Sequence, residues 1–328
     1  MSRLTRRLPI LLVITFVVAA VARVHPTAAM GSPGPTIFEM RGGTTAGGLN
    51  WARLLGGNRP TSGGPLAQAS NGDILMAGAV RSRDATTTDY RQWDVLVARL
   101  TSDGKLLWRV EIGGDGQDIP VGIGELGDGR IAVAGYSTSS EFNGVRGHGG
   151  YDAVTVVLGP RGDVRWTRLS GGKGDELASS LAIAGDRMVV GGYRFRPTFD
   201  PCAQSDGGFV LAYGSTGRRH WSATVKRTKD LATSVLGVVV SNGVITVVGS
   251  ELERCGPHES HKTSTGFVAR LSLDGVPLRW SRVESVVRLD NLVGRQGAQW
   301  ALGTRRGADG RRPTHSSGSV LMVARRGQ

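Results

Sequence analysis

Apolar residues in this chain come in short runs broken by Gly, Asp, Asn and Pro. Ile131-Ala-Val-Ala-Gly135, Tyr151–Leu158, Met188–Tyr193 and Phe209–Tyr213 are typical. The runs are rich in Val, Leu, Ile and Ala, and the breaks between them carry turn chemistry, as at Gly127-Asp-Gly129 and Pro160-Arg-Gly162. Runs of this length bounded by such breaks predict β-strands. No stretch after residue 29 keeps a period of 3.6, so the pattern predicts no helix there.

The runs repeat. Trp51, Trp108, Trp166, Trp221 and Trp280 recur at nearly even intervals. After each of the middle tryptophans the order of features is the same. Trp108 is followed by Gly113-Gly114, Asp118, a strand over 120–126, a turn, a strand over 130–136, a long loop, a strand over 151–158, a turn, and then Trp166. Self-similarity at this period marks stacked supersecondary units. Four strands per unit, named A to D with Trp on D, and no helix predict an all-β fold, a β-propeller of four-stranded antiparallel blades. The phase predicts how it closes. A lone D strand at Leu49–Leu55 precedes four complete units, and the last unit has A (Leu289–Arg295), B (Gln299–Arg305) and C (Ser319–Arg325) without a D. The N-terminal strand thus completes a fifth blade and leaves no free sheet edge. Residues 48–328 form this five-bladed domain, and residues 30–47 a flexible N-terminal segment.

These features resemble the bacterial secreted β-propeller repeat (SBBP-like) family. The residues that carry the resemblance are Gly113-Gly114 with Asp118, Ile131–Gly135, Asp152-Ala-Val154, Gly171-Gly172 with Asp175, and Val268–Gly275 before Trp280. The resemblance implies fold and export and names no substrate. The fifth unit departs from the pattern, with Val287-Arg-Leu in place of Gly-Gly and Trp300 on its B strand.

Export is also legible at the N-terminus. Arg3, Arg6 and Arg7 precede the apolar stretch Leu8–Ala22, too short for a comfortable span, and Thr27-Ala28-Ala29 offers a cleavage site. Residues 1–29 therefore read as a signal peptide, which places the mature chain outside the cytoplasm, secreted or in the periplasm or cell envelope, with no stable membrane span after cleavage. Formal net charge is +13, and the leader carries four of the arginines and no acid. The arginines are scattered without clustered aromatics, which argues against nucleic-acid binding. Cys202 and Cys255, the only two cysteines, fall in neighbouring B–C loops. In an exported chain they predict a disulfide.

Chemistry is less legible. Asp118, Asp175, Asp230 and Asp290 each follow one of the successive tryptophans at almost the same distance along the chain. They predict a partial carboxylate ring at the mouth of a central channel, able to hold a cation such as Ca²⁺. The alternative is that each Asp bonds backbone N–H groups of its own D–A turn. His258 and His261 have ligand-like spacing for a metal, but in a loop. The B–C loops (81–91, 137–150, 194–208, 250–266 and 306–318) are long, polar and all different. No nucleophile elbow, phosphate loop, dinucleotide fingerprint or zinc-type Cys/His set is present. The expectation is a monomeric, non-catalytic binding module that engages a protein, a glycan or a cell-surface component through its loop face. The alternatives are a glycosidase-like hydrolase using channel-mouth carboxylates, with Glu125 or Glu176 among them, and a structural envelope module.

Overall fold

The computed structural model describes residues 55, 59–83, 85, 92–195, 205–228, 231–253, 264–283, 286–295, 298–305 and 319–324, all within the compact unit Ile37–Gln328. Every regular element among them is a strand. The first sheet holds β1 (Thr61–Ser62), β2 (Leu66–Gln68), β3 (Ile74–Arg81), β4 (Trp93–Leu100) and β5 (Leu106–Ile112), where β1 and β2 both pair with β3. The second holds β6 (Asp118–Glu125) and β7 (Ile131–Ser137). A small hairpin of β8 (Glu141–Phe142) and β9 (Val145–Arg146) follows, and the sheet resumes with β10 (Asp152–Leu158) and β11 (Val164–Ser170). The third is β12 (Asp175–Ala184), β13 (Arg187–Phe195), β14 (Ser205–Gly214) and β15 (Arg219–Val225). The fourth is β16 (Leu231–Ser241), β17 (Val244–Glu253), β18 (Ser264–Ser272) and β19 (Pro277–Val283). The last, β20 (Val286–Arg295), β21 (Ala298–Arg305) and β22 (Ser319–Ala324), has three strands.

The pairing is antiparallel throughout these sheets and runs in sequence order, as short turns demand. Its phase is the one expected from the sequence. The strand assigned to Leu49–Leu55 lies outside the described residues except for the buried Leu55. The B–C loops are shorter than the sequence suggested. In the third and fourth sheets β13, β14, β17 and β18 extend into them, and in the second the loop folds on itself as β8–β9. The turn of that hairpin is Asn143-Gly144, both at positive φ, the geometry that a two-residue β-hairpin prefers.

Side-chain alternation explains how the sheets stack. On β7, Ile131 and Val133 enter a core shared with Leu75, Val97 and Ile112 of the first sheet. Ala132 and Ala134, on the opposite side of the same strand, enter a core shared with Met188, Val190, Phe209 and Leu211 of the third. On β13, Met188 and Val190 face back to the second sheet, whereas Val189 faces forward to Val235, Ile245 and Phe267. Successive residues on a strand point to opposite faces, and both faces are covered. That is why the middle strands read as continuous apolar runs. The first strands of neighbouring sheets also meet: β12 packs against β6 on one side and β16 on the other, and β16 packs against β20.

The recurring tryptophan joins each sheet to the next. The Trp108 indole N–H donates to Pro160 O at 2.9 Å, Trp166 to Ser215 O at 2.9 Å and Trp221 to Leu273 O at 2.8 Å. Each acceptor lies in the C–D turn of the following sheet. Each ring lies on a glycine of that turn. A Cβ built on Gly162, Gly217 or Gly275 would fall 2.7–2.9 Å from Trp108, Trp166 or Trp221, and all three glycines have φ above +80°. Only glycine meets both conditions. Trp280 stacks on Phe267 with centroids 4.4 Å apart, and its buried Nε1 has no partner among the described residues.

This contact predicts coupled losses. Trp166→Ala, which empties a half-buried site and removes a hydrogen bond, should cost about 2–4 kcal/mol. Gly217→Ala should also destabilise. Because the two residues touch, the double variant should lose less than the two single losses added together. Chemical denaturation of the three variants measures this, and strict additivity would contradict the contact.

Candidate functional site

One end of the sheets, where the D–A turns and B–C loops lie, gathers most of the buried acids. The Gly-Gly pairs at the ends of the D strands of the first two sheets, Gly113-Gly114 and Gly171-Gly172, organise two pairs of them. A Cβ on Gly113 would lie 2.4 Å from Asp94 Oδ1 and 2.8 Å from Asp118 Oδ2. A Cβ on Gly171 would lie 1.8 Å from Asp152 Oδ1 and 3.1 Å from Glu176 Oε2. In both places an acid opening strand C and an acid near the start of the next sheet's strand A face each other across a glycine. Any larger residue would collide with the carboxylates.

The first pair is enclosed. Asp118 is fully buried and accepts from Gly114 N at 2.8 Å, from Ser139 Oγ at 3.0 Å and from the Ser137 hydroxyl. Asp94 accepts from Ser82 Oγ at 2.6 Å. Burial pushes the Asp118 carboxyl up to about 6. The hydrogen bonds from Ser137, Gly114 and Ser139 oppose the rise, and the neighbouring Asp94 charge adds to it. Asp118 thus locks its own D–A turn to the end of β7.

The second pair opens on a cleft of about 160 Å³ lined by Ser170, Gly171, Glu176, Arg194, Phe209, Leu211, Arg219 and Ser222. Asp152 lies on the inner side, buried, and accepts from His148 N at 2.7 Å. The ring of His148, itself about half exposed, lies with Nδ1 3.0 Å from Asp152 Oδ1. Glu176 accepts from Gly172 N at 3.0 Å and has Arg194 Nε at 3.8 Å. The Arg194 guanidinium sits 5.5 Å from the Phe209 ring centroid, over its face.

The structure changes the proposed carboxylate row. Its true register follows the second Gly: Gly114 binds Asp118, and Gly172 binds Glu176 in the same relative position. Each of these acids stands shortly before the β-bulge of its strand A. Asp175 is therefore not the counterpart of Asp118; its carboxylate accepts from Tyr151 N at 2.9 Å. In the fourth sheet the same position is Thr233, whose hydroxyl accepts from Gly208 N at 2.9 Å and donates to Val225 O. The acid has moved to Thr233's strand-B partner, the buried Glu251, beside Arg282 at 3.1 Å and Arg227 at 3.6 Å. Asp290 falls within the β-bulge of β20, with its side chain outside the described ones. Asp230, His258, His261, Cys202 and Cys255 lie outside the described residues. Among the described residues no three His, Cys, Asp or Glu come together as metal ligands. Glu125 ends β6 at the opposite extreme from Asp118, accepting from Ser70 N at 2.6 Å with Arg99 at 3.7 Å, and has no part in this face. Sequence reasoning missed Asp94 and Asp152 as site residues. Their signal was the acid that opens strand C in the first two units: Asp94 precedes Trp108 by the same interval as Asp152 precedes Trp166.

Known proteins give a partial comparison. No family model matches the chain. A curated relative, the regulatory protein FlaEY of Caulobacter vibrioides, is 27% identical over 272 residues, which cover 70% of this chain and 28% of that protein. The chain thus spans well under a third of the length of the relative it matches. Among solved structures, the polysaccharide lyase Uly1 aligns with a TM-score of 0.49 and 12% identity over 79% of this chain and 68% of that one. The α-L-arabinanase of Penicillium chrysogenum aligns at 0.47 and 14% over 74% and 77%. The α-L-arabinofuranosidase Arb93A of Fusarium graminearum aligns at 0.47 and 10% over 82% and 94%. These neighbours are named as carbohydrate-cleaving enzymes, contrary to the expectation of a non-catalytic loop-face binder. At such identities they transfer no residue and no substrate, so the chemistry has to come from the carboxylates of this chain. Among the described residues no helix is long and apolar enough to cross a membrane.

The Asp118 lock has a pH signature. Its folded value lies above the ordinary 3.8, so its contribution to stability is full below pH 3.8 and is lost as pH rises through about 6. Asp118→Asn, which stays neutral, should remove this part of the pH dependence. Urea midpoints of both proteins between about pH 4 and pH 7 test it; parallel curves would refute the assignment.

Proposed function

We propose that the chain is a glycosidase-like hydrolase whose reacting groups are Glu176 and Asp152. The observation that carries this reading is the meeting of these two carboxylates around Gly171, with Glu176 lining the cleft and Asp152 buried on the other side of that glycine. Their facing oxygens are no farther apart than the two distances from that Cβ position laid end to end. That bound lies short of the ~6.5–9.5 Å that leaves room for an attacking water between the two groups, which favours the closer arrangement of enzymes that retain anomeric configuration. Glu176, half-buried and facing the cleft, attacks the anomeric carbon as the glycosidic C–O bond breaks. Asp152 delivers the proton to the departing oxygen. Water then cleaves the glycosyl ester on Glu176, and Asp152 takes the proton from that water. His148, half exposed and bonded to Asp152, gives this inner carboxyl a route for proton exchange with solvent.

The full chain is to be assayed against a panel of aryl glycosides and polysaccharides. Glu176→Gln should reduce the rate by about 10³-fold or more, and Asp152→Asn by about 10²-fold, with melting retained. A wild-type chain inactive across the panel, or variants as active as the wild type, would overturn the reading.

The reading extends to the whole chain. The sheets form five blades of a propeller that the strand at 49–55 completes against β22. Support comes from the three-stranded last sheet and from contact of the first strands along the series. A leader over 1–29 exports the chain, and Cys202 and Cys255 pair in the mature protein. On this account, deleting residues 30–56 should lower the melting temperature of the whole domain, and an unchanged melt would count against closure.

A further inference from the structure

We infer that the glycan accepted by this cleft is acidic, with a carboxylate on its sugar ring; the inference rests on the hydrolase reading of Glu176 and Asp152. The cleft lining carries two guanidinium groups, Arg194 and Arg219, against one carboxylate, Glu176. Arg194 is engaged with Glu176 at 3.8 Å and with the Phe209 ring. Arg219, exposed on β15, has no ion-pair partner among the described residues. Ser170 and Ser222 add hydroxyls to the same wall. Ser170 Oγ lies 2.6 Å from the buried Tyr213 hydroxyl. The fields of Arg219 and of Arg168, which neighbours Ser170 on β11, both reach that Tyr213 hydroxyl. Two guanidinium groups therefore line a cleft whose lining holds a single acid.

A site built for a neutral sugar has no use for this surplus, because hydroxyl groups bind as well to neutral donors. A guanidinium, by contrast, binds a carboxylate with two parallel charge-assisted hydrogen bonds. The reacting pair also needs the cations. Glu176 in the lining, with Asp152 buried behind it, repels an anionic substrate, and the arginines offset that repulsion on the side where the substrate charge would sit. Arg219, on an outer strand and clear of Asp152 and Glu176, is the residue that sets this preference. It acts in substrate binding and takes no part in bond cleavage.

The test is titration calorimetry of the full-length chain with an α-1,4-linked galacturonic acid trisaccharide and with its carboxyl-reduced counterpart. Wild-type protein should bind the acidic trisaccharide at least tenfold more tightly than the reduced one. Raising the salt should narrow that gap. Arg219→Gln should cut the preference at least fivefold, with most of the loss falling on the acidic trisaccharide. Equal affinities, no binding of either sugar, or an undiminished preference in Arg219→Gln would overturn the inference. Tight, charge-dependent binding of the acidic sugar without any cleavage would overturn the hydrolase reading and leave the charge preference standing.

Discussion

Everything in this molecule depends on one indole resting on one glycine. Trp108, Trp166 and Trp221, on the D strands of the first three sheets, each donate an N–H to a carbonyl in the next sheet's C–D turn and lay the ring on a Gly Cα that has no side chain to obstruct it. The hydrogen bond fixes the direction, and the flat ring against bare backbone fixes the distance. With that separation set, Ala132 and Ala134 on one sheet pack with Met188, Phe209 and Leu211 on the next in one core. Small residues on one face and large ones on the other are a packing solution for one spacing only.

The same spacing produces the acid pairs. Strand C of one sheet and strand A of the next begin at the same end of the structure, and the end of a D strand passes between them. A residue with a side chain there would push the strands apart. Glycine lets the two carboxylates close over the backbone. One scaffold thus yields two outcomes from the same layout. Around Gly113 the acids are enclosed by serines and serve the fold. Around Gly171 the serines are replaced by Arg194 and a cleft, which Glu176 lines while Asp152 stays buried. The fourth sheet exchanges the positions of acid and hydroxyl and encloses Glu251 between arginines.

The fold was largely legible because it is written in repeats. The tryptophan spacing, the breaks and the unpaired first and last strands name the strands and their order. The candidate site was legible only in part. Asp118 was visible as a turn-capping acid, but a search for the same residue type in the next unit selects Asp175. The structural counterpart is Glu176, recognisable by its distance from the second glycine and from the β-bulge. Asp118 and Glu176 stand at the same distance from Trp108 and Trp166, so it was the change from Asp to Glu that hid the match. Asp94 and Asp152 were overlooked for a different reason. Their partners belong to another sheet, and no local pattern announces a contact between positions so far apart in the chain.

The tryptophan contact is directional: at each of the three junctions from the first sheet to the fourth, one sheet offers an indole forward and the next receives it on its turn. Two neighbours there recognise each other by surfaces that these copies share. A duplicated unit placed between any two of them would find the correct surface at each of its borders, as would the two units left facing each other after a loss. Recombination can then change the number of copies in whole steps while the packing at each junction is preserved. The acid pairs, which draw on two successive copies, would be created or erased with the junctions, so new sites in such a chain arise where copies are joined.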